Sequence, residues 1–419
     1  MWLRRQKRQV KLEARLTVPR MSATNPTRIP DLARAHFKAN PYPLYARLRA
    51  EAPVCRTRFL GRRAWLITRY DDVLMVLREQ RIVKDWPPVT HWIHFVSRPV
   101  TRHMLNRDDS DHVRLRKLAH HVFNTALIEQ WHNRIQRICD ELLDNLERRY
   151  KVDLIQHFAL PLPLTVMGEL VGIAKADRKV FHKRSRTSLS AATIAGVLRA
   201  VPDQKLLAFQ IRKLIKNRRR NPRDDLVTAL VKAEEAGDRL TEDELVATIF
   251  FLLLAGYETT VSLIGAGALA LMQHPHERER FVLDSSINES AIEELLRYTS
   301  PLDVATQRFA REDMKINSVS IARGDALLAV LGSANRDETQ FPDPNTLNLG
   351  RTPNRHVALG QGVHFCLGAP LARLNGQIAL TSLFRRFSKL RLAEPQSLRW
   401  RKSLFIRGLE TLPVCLDGD

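Results

Sequence analysis

The sequence predicts a mostly α-helical chain carrying a few small β-sheets, and three observations lead there. Apolar residues recur at helical spacing in ten segments spread along the 419 positions. Runs of β-branched and aromatic residues are few and short. No period of 20 to 50 residues and no low-complexity tract interrupts the pattern, which disfavours solenoids and long linkers. With 44% hydrophobic and 27% charged residues the chain can bury a substantial core, so disorder is excluded.

Taken in order, helical periodicity covers Pro43–Glu51, Tyr70–Glu79, Asp111–Phe123, Ala126–Arg149, Asp177–Arg186, Asp203–Arg220 and Asp224–Ala236. It continues through the long segment Thr241–Gln273, then Ile287–Thr299 and Ala369–Phe387. The expected strands pair locally: Val54–Phe59 with Ala64–Ile67, Val319–Ile321 with Ala326–Val330, and a terminal pair around Phe405–Ile406 and Pro413–Leu416. Between Gly332 and Gly368 the periodicity gives way to a Pro-, Asn- and Gly-rich meander, too long for a casual loop and of the kind that is usually functional.

Lys+Arg number 67 against 45 Asp+Glu, a formal charge of +22. Such a field attracts nucleic acid, anionic membranes or acidic proteins without choosing among them. Residues 1–20 concentrate Arg4, Arg5, Lys7, Arg8, Lys11, Arg15 and Arg20 against Glu13 alone. This leader is read as an unstructured basic tail or as the product of an upstream start codon ahead of Met21. It contains no apolar signal core, and Leu245–Ala255, the longest apolar run, is far short of the roughly 20 residues of a membrane span. The basic residues are scattered without a nucleic-acid-binding motif, so nucleic acid is not an expected partner. Cys55, Cys139, Cys366 and Cys415 lie far apart with no CxxC spacing, which fits a reducing compartment, read here as the cytoplasm.

The chemistry concentrates in Leu359-Gly-Gln-Gly-Val-His-Phe-Cys-Leu-Gly-Ala-Pro. Gly360, Gly362 and Gly368 crowd one cysteine, and a helix with Pro370 in its first turn follows. Cys366 therefore precedes a helix N-terminus, whose amides and dipole favour a thiolate. A zinc site fails, because His364 and Cys366 have no second ligand pair nearby. Two readings stay open on the residues alone: a buried structural cysteine, or a lone axial thiolate beneath something large and flat.

Gly360-x-Gly362-x-His364-x-Cys366-x-Gly368 resembles the haem-binding loop of the cytochrome P450 family, the haem-thiolate monooxygenases. The departure is Leu359, where that family usually has Phe; Leu keeps the site apolar and implies a somewhat altered redox poise. Glu294-Leu-Leu-Arg297 matches the family's buried Glu-x-x-Arg pair, and Arg351 matches its third partner in the meander. Ala255-Gly-Tyr-Glu-Thr259 resembles the distal motif of the central helix, where a small residue and a widened turn make room for dioxygen. The resemblance implies that Glu258 and Thr259 are catalytic, delivering protons on the distal side. It implies haem b (iron protoporphyrin IX) ligated by Cys366, with Ala255 and Gly368 against the ring. His112, Arg116, Arg308 and His364 match the family's propionate ligands.

The resemblance spans roughly residues 25–417, so it implies one large domain, 21–419, with haem between the long central helix and the cysteine loop. The function it implies is insertion of one oxygen atom from O2 into a hydrophobic small molecule. Electrons would come from an acidic ferredoxin or flavodoxin and its reductase, for which the basic surface suits a monomeric enzyme. The alternatives are an H2O2-dependent peroxygenase and a non-catalytic haem sensor or carrier. The resemblance implies a mostly apolar substrate pocket lined by the loop Lys84–Arg102 with Trp86, Trp92, Ile93 and Phe95, by Ser185–Val201, by the central helix before Ala255, by Leu302–Ala305 and by Phe405–Ile406.

Overall fold

The computed structural model describes residues 31–85, 100–122, 125–189, 194–235 and 240–416. The basic leader and the expected pocket residues Trp86, Trp92, Ile93 and Phe95 lie outside the described residues. Helices α1 (Ala35–Ala39) and α2 (Tyr42–Glu51) lead to strands β1 (Val54–Phe59) and β2 (Arg62–Ile67), then α3 (Tyr70–Arg78) and β3 (Ile82–Val83). A helical block follows: α4 (Asp109–Val122), α5 (Thr125–Asp144), strand β4 (Lys151–Asp153), α6 (Pro161–Val171), α7 (Lys175–Leu189), α8 (Ile194–Arg220) and α9 (Leu226–Glu235). Next come α10 (Glu242–Gln273), α11 (Pro275–Leu283) and α12 (Asn288–Thr299). Strands β5 (Arg308–Ala310), β6 (Met314–Ile316), β7 (Val319–Ile321) and β8 (Ala326–Ala329) precede α13 (Leu331–Ala334) and α14 (Ala369–Arg386). The chain closes with β9 (Arg391–Leu392), β10 (Arg399–Trp400), β11 (Leu409–Thr411) and β12 (Pro413–Cys415).

Helix α10 organises the helical block. Thr241 caps it reciprocally: its hydroxyl accepts from the Glu244 amide at 3.3 Å, and the Glu244 carboxylate accepts from the Thr241 amide at 2.9 Å. The helix is apolar all round because it packs against α6, α8, α12 and α14. Its composition and length would suffice to cross a membrane, but 72% of its most apolar window is buried inside the protein. One apolar core, from Val100 to Leu416, surrounds it.

Helices expected from periodicity appear, with one extension. Helix α8 begins at Ile194 and runs through Pro202, so the proline does not start it. Helices α6 and α11 were not expected; each opens with proline in its first turn, a placement the helix tolerates because that amide is unpaired anyway.

The sheet pairings correct two expectations. β7 does not pair with β8; it forms a tight hairpin with β6, in the register Ile316↔Val319, through Asn317 at φ 53°. β8 instead lies inside the five-stranded sheet ordered β1-β2-β8-β5-β3, parallel to β2 and antiparallel to β5. All four β8 residues are buried, as a central strand requires. The terminal pair is also replaced: Ile406 bridges to Leu302, while β12 pairs with β4 and β9.

The meander is held by one buried carboxylate. Glu294 takes both forks of Arg297 at 2.7 Å and the Arg351 Nε at 3.2 Å, as the sequence implied. The remaining guanidinium hydrogens go to carbonyls of the meander. Arg297 donates to Asn335, Pro344 and Thr346, and Arg351 to Pro342, Asp343 and Thr346. Replacing Glu294 with Ala strands two buried cations, and we expect a loss of about 3–5 kcal/mol. Denaturant unfolding of Glu294→Ala against wild type checks this; a loss under about 1 kcal/mol contradicts the role.

Candidate functional site

Cys366 lies partly exposed in the turn before α14, its amide donating to the Leu359 carbonyl at 2.9 Å. Gly360 and Gly362 adopt φ of 74° and 72°, conformations that favour glycine, and a Cβ on Gly362 would sit 2.7 Å from the Leu77 carbonyl oxygen. Gly368 differs: its φ is ordinary and a Cβ there would meet nothing within 4 Å. The thiol is not held low as the helix N-terminus suggested. Burial pushes it up, against the Gly368 amide, Arg116 and Arg373. Cys55 and Cys139 are buried thiols that burial also raises, Cys139 to about 12. No group of three or more His, Cys, Asp or Glu side chains able to hold a metal ion occurs among the described residues.

A set of nitrogen donors gathers beside this loop. The rings of His112, on α4, and His364 meet edge to face at 4.3 Å. His112 is buried and its Nε2 has no hydrogen-bond partner among the described residues. Arg308, 5% exposed on β5, has its Nη1 3.4 Å from the Thr306 carbonyl and pairs with no carboxylate among the described residues. Lys84 donates to the hydroxyl and carbonyl of Thr306 and to the Gln307 carbonyl. His103 stacks on Phe251 of α10 at 4.4 Å, and Arg116 donates to the Phe365 carbonyl at 2.8 Å.

The electrostatics of this set are those of crowded cations. Burial brings Arg308 down to about 10, against the attraction of Asp108. Lys84 lies well below its ordinary value because of burial and Arg308. His103 falls to about 3 through burial, Lys84 and Arg107. His364 falls to about 4 through burial, although Asp108 opposes this. His112 is lowered by burial and Arg116, and Arg116 itself by burial. The facing carboxylate is Asp108, 3.8 Å from His364 and receiving the Lys84 and Asp85 amides at 2.7 and 2.6 Å. Burial works against the Asp108 charge, but His364 and those amides hold its carboxyl below the ordinary range.

On α10, Phe251, Ala255 and Thr259 stand at i, i+4 and i+8 and are accessible in the middle of a buried helix. Phe251 of this face meets the donor set through the ring of His103. The helix remains α throughout, without the widened turn the resemblance implied. Thr259 donates its hydroxyl to the Ala255 carbonyl at 3.0 Å. Glu258 departs from a solvent-facing relay: it is 1% exposed and ion-paired with Arg401. Its Oε1 has no hydrogen-bond partner and lies 3.9 Å from Nδ1 of His182, which meets the Tyr257 hydroxyl at 3.1 Å.

Of the residues singled out from the sequence, the fold brings His112 against His364 and Arg116 against the cysteine loop at Phe365, while Ala255 and Thr259 share an accessible face of α10 with Phe251. Sequence reasoning missed Lys84, His103 and Asp108, which reach the site from loops, and Arg401 and His182, more than 70 residues from Glu258. No local spacing announces those partners. Of the expected pocket lining, Val304 and Ala305 are buried, while Asp303 turns to Lys38 and Tyr45 at 2.5 and 2.8 Å.

Comparison with known proteins agrees with this geometry. The model of the cytochrome P450 family matches residues 197–282 and 287–403. The polyketide biosynthesis cytochrome P450 PksS of Bacillus subtilis is 44% identical, over 91% of this chain and 96% of its own. The 6-deoxyerythronolide B hydroxylase of Saccharopolyspora erythraea is 38% identical, over 94% of this chain and all of its own. The crystal structure of a myxobacterial cytochrome P450, CYP267B1, in complex with myristic acid superposes with a TM-score of 0.89 at 36% identity, covering 93% of this chain and 100% of that one.

The residues present fit haem b, the cofactor of that family. The orphaned His112 Nε2 and the poorly compensated Arg308 call for anionic acceptors, which two propionates supply. The space beside Gly368 admits a flat ring against the backbone. Arg308→Ala removes a buried, poorly compensated cation that would donate to a propionate if the fit holds. We expect haem transfer to apomyoglobin to quicken at least about tenfold, one charge-assisted bond contributing about 1.5–3 kcal/mol. The haem-free variant is expected to unfold at no lower temperature than haem-free wild type, because the lost charge was a burden there. Calorimetry of both haem-free proteins tests the second half.

Proposed function

The chain belongs to the cytochrome P450 family, and from that premise we propose that Cys366 is the proximal thiolate, that His112, Arg116, Arg308 and His364 face the haem propionates, and that Glu258 and Thr259 serve the distal side. Members act as monooxygenases, and so does this chain: one atom of O2 enters a hydrophobic small molecule by hydroxylation or epoxidation, with electrons from a redox partner protein. The observation that carries the residue assignments is the buried cation set, faced by one carboxylate, beside a partly exposed cysteine. When bound, haem b supplies the iron at which dioxygen is activated, and a thiolate ligand donates electron density that favours O–O cleavage.

The chain's own residues then have distinct tasks. Thr259 has one hydroxyl hydrogen, spent on Ala255, so its oxygen faces the cavity as an acceptor and can orient a proton-bearing water. Glu258 is held aside by Arg401, and its Oε1 is the proton-accepting atom left without a bond. His182 and Tyr257 lie on the route by which a proton reaches it. Phe251 and Ala255 present accessible apolar surface of α10 to the substrate. PksS belongs to polyketide biosynthesis and the erythronolide hydroxylase acts on 6-deoxyerythronolide B, which supports a polyketide-derived or similarly bulky apolar substrate here.

The redox partner is proposed to be an acidic ferredoxin or flavodoxin docking over the cysteine loop, on a monomeric, cytoplasmic enzyme formed by residues 21–419. Val113 and Val363, 62% and 66% exposed, project beside the site with Lys117 on the same helix as Val113. A neighbouring depression of about 510 Å³ is lined by Arg78, Arg355 and Arg373 together with Asp71 and Glu293, the last ion-paired with Arg373, so cations are in slight excess beside the exposed valines, which suits an acidic partner.

Three measurements test this reading. The reduced, carbon-monoxide-bound protein is expected to show the strongly red-shifted Soret band of thiolate-ligated haem, lost in Cys366→Ser. Thr259→Ala is expected to retain haem and substrate while diverting most electrons from product to hydrogen peroxide; full coupling in that variant contradicts the distal role. Turnover with an acidic ferredoxin is expected to fall several-fold between low and 0.5 M salt, and salt-independent turnover excludes steering by the basic face.

A further inference from the structure

The β1–β2 hairpin carries a concentration of arginines that the reaction does not use. In its register Arg58 stands directly opposite Arg63, and Arg56 opposite Trp65, so Arg56, Arg58 and Arg63 share one face. Like charges directly opposite one another oppose strand pairing unless an anion lies between them. The local carboxylate is Asp325, and its capacity is taken. One oxygen accepts from Arg63 Nε at 2.6 Å, the other from Trp65 Nε1 at 2.8 Å and the Ala322 amide at 3.2 Å. Arg56, Arg58 and Arg62 have no carboxylate partner among the described residues. A cleft of about 410 Å³ opens here, lined by Arg56, Arg62, Arg63, Arg323, Gly324 and Asp325.

We propose that this cleft binds a multiply charged phosphate group, on a soluble phosphate ester or on a phospholipid headgroup. Guanidinium forks arriving from both strands match tetrahedral oxyanions, which accept several forked pairs at once; a single carboxylate is planar and satisfied by one or two. The volume exceeds that of a bare oxyanion and leaves room for the group that bears it. The site is separate from the haem centre. β1 is the edge of the sheet ordered β1-β2-β8-β5-β3, and Arg308 stands three strands away on β5.

Titration calorimetry of the full-length, haem-loaded protein with pyrophosphate at 0.15 M NaCl tests the proposal, beside flotation with phosphatidylcholine vesicles containing or lacking phosphatidic acid. Saturable one-site binding is expected, weakened at least about tenfold in Arg56→Ala/Arg62→Ala. The same pair changed to Lys keeps the charge and loses the fork, and is expected to bind several-fold more weakly than wild type. The carbon monoxide spectrum should be the same in all three, showing that the fold and haem pocket stand. Binding confined to phosphatidic acid vesicles, and lost in the Ala pair, identifies a headgroup as the source; binding of pyrophosphate identifies a soluble ester. Saturable binding to neither probe, binding the Ala pair leaves unchanged, or a Lys pair as tight as wild type overturns the proposal.

Discussion

The Glu294 carboxylate between Arg297 and Arg351 is the constraint from which the site's geometry follows. The meander of residues 335–357 contains almost no regular structure, so its carbonyls need donors from elsewhere. Two buried guanidiniums supply them, and a buried guanidinium is tolerable only with a counter-charge. Glu294 provides that charge, and also accepts from the Asn348 amide and the Asn354 side chain. Asn335 extends the lock, accepting from the Val357 amide at 2.8 Å while its side chain donates to Ser300 at 2.9 Å. Leu359, whose carbonyl receives the Cys366 amide, follows directly. The thiol's position is therefore inherited from an ion pair on α12, through carbonyls the cysteine never touches.

A second electrostatic arrangement is set against folding. Arg308, Lys84, His103, His112 and His364 are crowded into a low-dielectric region where burial lowers all five, Arg308 further lowers Lys84 and His364, and Lys84 further lowers His103 and His364. A chain optimised for stability alone would place apolar groups there. A dianion would relieve the strain, so under the proposed assignment cofactor binding and local stability would be linked, propionates beside Arg308 returning the stabilisation its burial withheld. Specificity for an acid-bearing planar cofactor is written into that balance as much as into the cysteine.

How much of this was legible in the sequence depends on the range of the interaction. Helices such as α10 were readable because their signal is local, and the cysteine loop because its glycines and cysteine lie within nine residues. The partners of β7 and β8 were not, since nearest-neighbour pairing was assumed and the chain used Asn317 to turn back earlier. The helices opening at Pro161 and Pro275 were passed over because proline reads as a breaker away from a first turn. Arg401 escaped because an ion pair across 143 residues leaves no spacing to detect. The charge of +22 misled in part: Lys38, Arg49, Lys84, Arg218, Arg297, Arg308, Arg336, Arg351 and Arg407 are buried, so composition overstates the cationic surface.

That redistribution bears on how the two faces of the catalytic centre differ. On the cysteine side, exposed cations and two projecting valines are available to a partner that comes and goes. On the distal side the charges are interior and paired, Glu258 with Arg401, so in the role proposed for Glu258 proton supply would depend on side-chain rearrangement rather than on bulk solvent. An acid open to bulk water would release protons whether or not substrate was in place, and reduced oxygen would leave as peroxide. Holding Glu258 against Arg401 while leaving Oε1 without a bond keeps the acid near the reaction but dependent on a small local movement. His182 sits on α7, outside α10, so a neighbour of Oε1 comes from a separate helix whose movement would change that neighbour.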